Sequence, residues 1–274
     1  MFFKKVKTYY TLLFESKKLI KSYENKYKGK LVLLLGDGIS VAYATSIFHK
    51  YDYIIACNNA INHKSLDNCN ILFHVIMEPD LLKPGKHDIV RELWKGVHKL
   101  FPTTKLIMNP FGRFFNFFAQ YKNIIYFSPY HKHRISENII YDNFSAAFQA
   151  SLGIALICGF DKIDILGFDA WLLTPKNNLR WYSKINEPTK FDYFEKHNSE
   201  NFILLANKIS KLSVYTYSHY NSIYSCINQI KLDSNLKKYQ PSTDRYLLMR
   251  NDFKNKIESI ENRYYPNGYI VNKN

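Results

Sequence analysis

Short apolar runs separated by polar stretches set the pattern of this chain. Leu31-Val-Leu-Leu-Leu35, Tyr53-Ile-Ile-Ala-Cys57 and Ile71-Leu-Phe-His-Val-Ile76 come first. Lys105-Leu-Ile-Met108, Ile124-Ile-Tyr-Phe127, Ile163-Asp-Ile-Leu166 and Ser213-Val-Tyr-Thr-Tyr217 follow. Runs of four to six residues that are apolar on both faces read as buried strands of a parallel sheet. Helical spacing marks the stretches between them. Val6, Tyr9, Tyr10, Leu13, Ile20 and Tyr23 recur among lysines, predicting an amphipathic helix over 5–28. Residues 41–50, 86–99, 144–158 and 198–211 read as further helices, and Gly159 stands where a helix C-terminus favours glycine. Strands alternating with helices predict an α/β fold: a Rossmann-like, mainly parallel sheet with helices on both faces.

The strand ends carry the candidate chemistry. The first run closes in Gly36-Asp37-Gly38-Ile39-Ser40, the second in Asn58-Asn59, and the run at 163–166 in Gly167-Phe168-Asp169. Ligands of open α/β sheets bind at the carboxyl ends of the strands. Glycines there permit a tight turn and close approach of the backbone. Asparagine amides donate and accept, which suits a base, a ribose or a sugar ring. Each signal is also ordinary turn chemistry. The glycine motif lacks the third glycine of the dinucleotide fingerprint and the lysine of a P-loop.

Residues 170–196 are aperiodic and rich in aromatics, among them Trp171, Trp181 and Tyr182. A loop of that length in a compact domain reads as a lid. The expected organisation is a basic amphipathic helix over 1–30, a nucleotide-sugar-binding catalytic domain over 31–230 with its lid, and a basic, partly helical tail over 231–274.

Composition narrows the class. The chain has 274 residues, 46% of them hydrophobic and 16% aromatic, enough for a sizeable core. No apolar run reaches the ~18–20 residues that cross a bilayer, and the amino terminus does not read as a signal peptide. A cytoplasmic location is the default expectation. The net charge of +15 gathers at the ends: nine lysines against two glutamates in the first thirty residues. Basic, aromatic-rich ends suit an anionic membrane surface, hence a peripheral association with the inner membrane. No nucleic-acid-binding motif organises these lysines. Cys57, Cys69, Cys158 and Cys226 form no Cys-x-x-Cys pair, so zinc and thioredoxin-like chemistry is not indicated.

Taken in order, four blocks resemble the bacterial sialyltransferases of glycosyltransferase family 42, the Campylobacter lipooligosaccharide type. Gly36-Asp37-Gly38-Ile39-Ser40 resembles the family's Gly-Asn-Gly-Pro-Ser, and Ala56-Cys57-Asn58-Asn59 its Arg-Cys-Asn-Gln. The helix, strand and Gly167-Phe168-Asp169 block resembles its Gly-Tyr-Lys-Glu-Ile-Tyr-Leu-x-Gly-Ile-Asp. His197-Asn-Ser-Glu-Asn201, with the helix and strand after it, resembles its His-Ser-Lys-Asn segment. Order and spacing agree over roughly residues 31–220.

The resemblance implies a modified GT-A fold and metal-independent, inverting transfer of sialic acid or a related nonulosonate from a CMP-sugar to a glycan hydroxyl, as in lipooligosaccharide synthesis. It implies no cofactor beyond the donor substrate, and leaves a homo-oligomer open. His197 takes the position of the general base. Gly36, Asp37, Gly38, Ser40, Asn58, Asn59, Ser145, Gly167, Asp169 and Trp171 fall along the nucleotide site. Tyr182 takes the place of one of two tyrosines that steady the leaving phosphate; the other falls near Trp171, which has no hydroxyl. Asp37 and Ile39 depart from the family's Asn and Pro. A carboxylate repels a phosphate, so Asp37 is expected to face a sugar or base hydroxyl.

The glycine blocks also resemble motility-associated glycosyltransferases and the related pterin pyrophosphokinase-like domain. A pyrophosphokinase would need Mg²⁺, which Glu78, Asp80 and Asp169 could hold. A non-catalytic sugar-binding protein is the third reading.

Overall fold

The computed structural model describes residues 2–38, 40–41, 44–77, 94–96, 98–110, 124–128, 131–137, 139–142, 144, 146–168, 211–217 and 227–232. The strands are β1 (Leu31–Leu35), β2 (Tyr53–Cys57), β3 (Ile71–Ile76), β4 (Lys105–Met108), β5 (Ile125–Tyr126), β6 (His133–Ser136), β7 (Ile139–Tyr141), β8 (Lys162–Leu166), β9 (Leu212–Tyr217) and β10 (Asn228–Leu232). The described helices of more than two turns are α1 (Phe2–Lys21) and α2 (Ala147–Cys158).

Eight strands form one sheet in the order β10-β9-β8-β1-β2-β3-β4-β5. Every pairing in it is parallel. This is the parallel α/β sheet expected from the apolar runs. β1 lies between β2 and β8, and Val32, Leu33, Leu34 and Leu35 are completely buried. A strand covered on both faces must be apolar throughout, which is why β1 shows no alternation.

α2 is buried along all twelve residues and contacts β1, β2 and β3. Its small residues allow this: a side chain on Gly153 would run into the rings of Phe144 and Tyr141. Gly159 ends it in the left-handed region (φ 76°), where a Cβ is strained. α1 joins the same core through buried Ile20, and the Tyr126 amide of β5 donates to Ser16 Oγ at 2.8 Å. Tyr23, just beyond α1, packs edge-on against Phe73 of β3.

Several local expectations differ from the structure. The first helix ends at Lys21, and 22–29 are turns that bring the chain to β1. The described residues between β1 and β2 form no α-helix but a 3₁₀ segment, Thr45–Lys50. Ser46 can hydrogen-bond its own backbone in non-helical forms, which favours a short 3₁₀ segment over an α-helix. A two-stranded antiparallel sheet, β6 with β7, was not foreseen. Nor was β10, which crosses the expected boundary at 230/231. The described parts of 86–99, residues 94–96 and 98–99, are helical. The expected lid, the 198–210 stretch and the tail beyond 232 lie outside the described residues.

Candidate functional site

The strand order contains one reversal. From β1 the chain crosses to β2 on one side, whereas β8 lies on the other side of β1 and leads outward to β9. A crevice forms at the carboxyl ends of strands that part in this way. Leu35 of β1 is in register with Ala56 of β2 and Leu166 of β8. The segments beginning at Gly36, Asn58 and Gly167 therefore leave the sheet side by side at one edge, as the sequence reading required.

The two glycine loops are bound to each other. Gly36 N–H donates to Leu166 O at 2.8 Å, and Gly38 N–H to Gly167 O at 2.7 Å. Gly167 N–H in turn donates to Ser40 Oγ at 3.0 Å. Gly167 has φ +80°, and a Cβ there would stand 2.5 Å from Gly36 O and 2.6 Å from Val41 Cγ2. The glycines are thus needed for backbone-to-backbone contact between β1 and β8. The Gly38 amide hydrogen is committed to the neighbouring loop, and Ser40 Oγ accepts from it.

Asp37 is buried, at 7% exposure. Burial pushes the Cys57 thiol up to about 12, and the Asp37 carboxylate adds a smaller push in the same direction. Asp37 therefore lies toward the end of β2. Cys57 is protonated at neutral pH and serves as packing, with its thiol 3.6 Å from Ala147 O.

That contact brings the N-terminus of α2 to the same edge. Ala146 at the helix start supplies no side-chain cap. A helix N-terminus carries partial positive charge. Beside it, Asn58 adopts φ 48°, a left-handed conformation that asparagine tolerates better than most residues. Among the described residues its Oδ1 is a buried acceptor without a partner. Asn62, at the end of the 3₁₀ turn Asn58–Asn62, is fully buried, and neither polar atom of its amide has a partner among the described residues. Buried amides left so are costly unless something else satisfies them.

Behind Asn58 stands a histidine pair that sequence reasoning missed. His74 Nε2 lies 2.9 Å from Asn58 O, and His74 Nδ1 lies 2.9 Å from His98 Nε2. A carbonyl only accepts, so His74 carries its proton on Nε2. His74 is buried and neutral, because burial first and His98 second push it well below the usual range. Its Nδ1 must then accept the Nε2 proton of His98. Burial likewise lowers His98 to about 4. Trp94 packs edge-on to His74 at 5.4 Å. The available signal was a polar residue inside the apolar run Ile71–Ile76. The same signal marks Asp164 in β8, 1% exposed, which accepts from Tyr51 Oη at 2.6 Å and pairs with Lys162 at 3.0 Å.

Of the expected site residues, Gly36, Asp37, Gly38, Ser40, Asn58, Asn59 and Gly167 fall at this edge. Ser145, Asp169, Trp171, Tyr182 and His197 lie outside the described residues, as do Glu78 and Asp80. Among the described residues no three His, Cys, Asp or Glu side chains form a metal-binding group. No described helix is long and apolar enough to cross a membrane.

No protein-family model and no curated protein matches the sequence. Among solved structures, the chain is similar to the MAf glycosyltransferase from Magnetospirillum magneticum AMB-1, at 13% identity and a TM-score of 0.44. The match covers 94% of this chain and 45% of that one, so the chain spans less than half the length of that protein.

Proposed function

We propose that the protein is a glycosyltransferase that binds a nucleotide sugar at the β1/β8 crevice. The donor we favour is a CMP-activated nonulosonate, the acceptor a glycan hydroxyl, and the transfer inverting and metal-independent. One observation carries the reading: Asn58, whose Oδ1 is a buried acceptor without a partner among the described residues, follows Cys57, whose thiol meets Ala147 in the first turn of α2, at the switch point of a parallel sheet. A helix N-terminus suits a phosphate. An amide oxygen suits an amine or hydroxyl of the nucleoside.

In this reading His197 takes the proton from the acceptor hydroxyl as the glycosidic bond forms. An unperturbed imidazole, near pH ~6.5, can do so at neutral pH. Tyr182 donates a hydrogen bond to the leaving phosphate, and residues 170–196 close over the donor. The exposed face of α1, with Tyr10, Phe14, Lys17, Lys18 and Lys21, rests on an anionic membrane near lipid-linked acceptors. Each lysine near such a surface contributes ~1 kcal/mol.

A thermal-shift screen with CMP, CDP, UDP, GDP and ATP, with and without EDTA, tests the reading. A ligand that binds only the native state raises its melting temperature by mass action. CMP should give the largest shift, unchanged by EDTA. A shift with ATP that requires Mg²⁺ would favour the pyrophosphokinase-like reading instead.

A further inference from the structure

The opposite edge of the sheet carries a pocket that the crevice does not explain. Tyr53, Ile71 and Lys105 are the first residues of β2, β3 and β4, and they line a cavity of about 290 Å³. The turn after α1 closes it with Tyr23, Lys26 and Tyr27. All three strands run the same way, so this pocket lies at their amino ends and the crevice at their carboxyl ends. At ~3.3 Å per residue, a strand of five or six residues separates the two by about 17–20 Å.

The pocket walls are fixed before any ligand arrives. Asn25 N–H donates to Ile157 O and Tyr27 N–H to Cys158 O, both at 2.9 Å, which pins the turn to the end of α2. Tyr27 is stacked on Phe160 and meets Tyr53 edge-on at 4.8 Å. The side chain of Asn70 donates to Asp52 O at 3.3 Å. Preorganised walls of this kind spare a ligand the cost of ordering them.

The lining is cationic and aromatic. Lys26 and Lys105 are both present, and none of the described lining residues is acidic. Two carboxylates at this edge are committed elsewhere. Asp52 pairs with Lys30 at 3.0 Å and accepts from Leu31 N–H, while Asp161 accepts from Gly29 N–H. Lys26 lies over the rings of Tyr23 and Tyr27, at 5.3 and 5.9 Å. Two lysines without a carboxylate partner in the lining call for an anion. The tyrosines call for a ring. Tyr27 and Tyr53 stand at 66° to each other, so they form a step rather than a parallel slot. A step suits a puckered pyranose better than a flat base, and the exposed Asn70 and Thr103 can bond its hydroxyls. The volume is at the lower end for a small-molecule site, ~300 Å³.

We propose that this pocket docks an acidic sugar, a pyranose bearing a carboxylate or a phosphate, at a site separate from the crevice. The inference does not rest on the transferase reading and survives its failure.

Backbone NMR of the full chain, titrated separately with glucuronic acid, glucose 6-phosphate, glucose, inorganic phosphate and CMP, tests it. Glucuronic acid and glucose 6-phosphate should shift the amides of Tyr27, Tyr53 and Ile71, and glucose should not. Lys26→Ala and Lys105→Ala should each weaken binding about tenfold, the ratio for one hydrogen bond to a charged group, with the β1 and β8 amides unmoved as the check on folding. The proposal is overturned if neither acidic sugar shifts these amides, if glucose binds as well, or if the lysine variants bind normally. It is also overturned if inorganic phosphate binds as tightly as glucose 6-phosphate, or if CMP shifts this set. CMP failing to move the crevice amides while glucuronic acid moves these would remove the transferase reading alone.

Discussion

The buried histidine pair makes a quantitative statement about pH. His98 is about 5% exposed, donates to His74, and has its proton affinity lowered to about 4. In the unfolded chain the same imidazole titrates near 6.5. Between these values the unfolded state binds one more proton than the native state, so stability falls as pH falls. The contribution is fully present above pH ~6.5 and gone below about 4. One pK unit is worth ~1.36 kcal/mol, so the fall from pH 7 to pH 5 attributable to His98 is about 2 kcal/mol. His98→Gln keeps an N–H donor for His74 but cannot titrate. Urea unfolding of both proteins at pH 7 and pH 5, followed by tryptophan fluorescence and circular dichroism, measures the difference. The wild type should lose about 2 kcal/mol more than His98→Gln between the two pH values. His131, also lowered to about 4 chiefly by burial, adds the same slope to both proteins. Equal pH dependence of the two would refute the buried, neutral relay behind Asn58.

Three further outcomes follow from particular contacts. Tyr51→Phe should cost about 1.5–3 kcal/mol in urea unfolding, because it takes the hydroxyl from the buried Asp164 carboxylate and breaks the 2.6 Å contact with Tyr215 Oη; a loss under about 0.5 kcal/mol would mean that this cluster is loosely solvated. Gly167→Ala should destabilise by more than the ~1–3 kcal/mol typical of overpacking, since it adds a positive φ to the collision with Gly36 and Val41; a near-native melting temperature would contradict the tight β1/β8 junction. His197→Ala should slow transfer ~10²–10⁴-fold with nucleotide affinity nearly unchanged; near-normal turnover would remove the base assignment.

The parts of the fold that could be read from the chain are those where burial is two-sided. β1, β2, β3 and β8 are mostly apolar because they lie inside the sheet and are buried on both faces, and their bounds agree with the structure to within a residue. β10 escaped because only Leu232 of its five residues is buried. An edge strand exposed along Asn228, Gln229 and Lys231 carries no apolar signature. In the 41–50 stretch the described residues Thr45–Lys50 form a 3₁₀ segment where the spacing predicts an α-helix.

The site was legible in position more than in chemistry. Gly36, Asn58 and Gly167 come together because adjacent parallel strands deliver their ends to one edge. What those residues do there depends on pairing that a linear reading does not display. Gly38 and Ser40 are drawn into holding Gly167, a role set by two backbones meeting. His74 and Asp164 were visible as polar interruptions of apolar runs, but their partners lie 24 and 113 residues away.

The central claim is that a nucleotide occupies the β1/β8 crevice. Hydrogen–deuterium exchange of the full chain with and without saturating CMP tests it most directly. Protection should appear in peptides covering 36–41, 58–62 and the first turn of α2, with the amino ends of β2 to β4 unchanged. Binding of CMP that leaves these peptides unprotected, or that protects the opposite edge of the sheet, would contradict it.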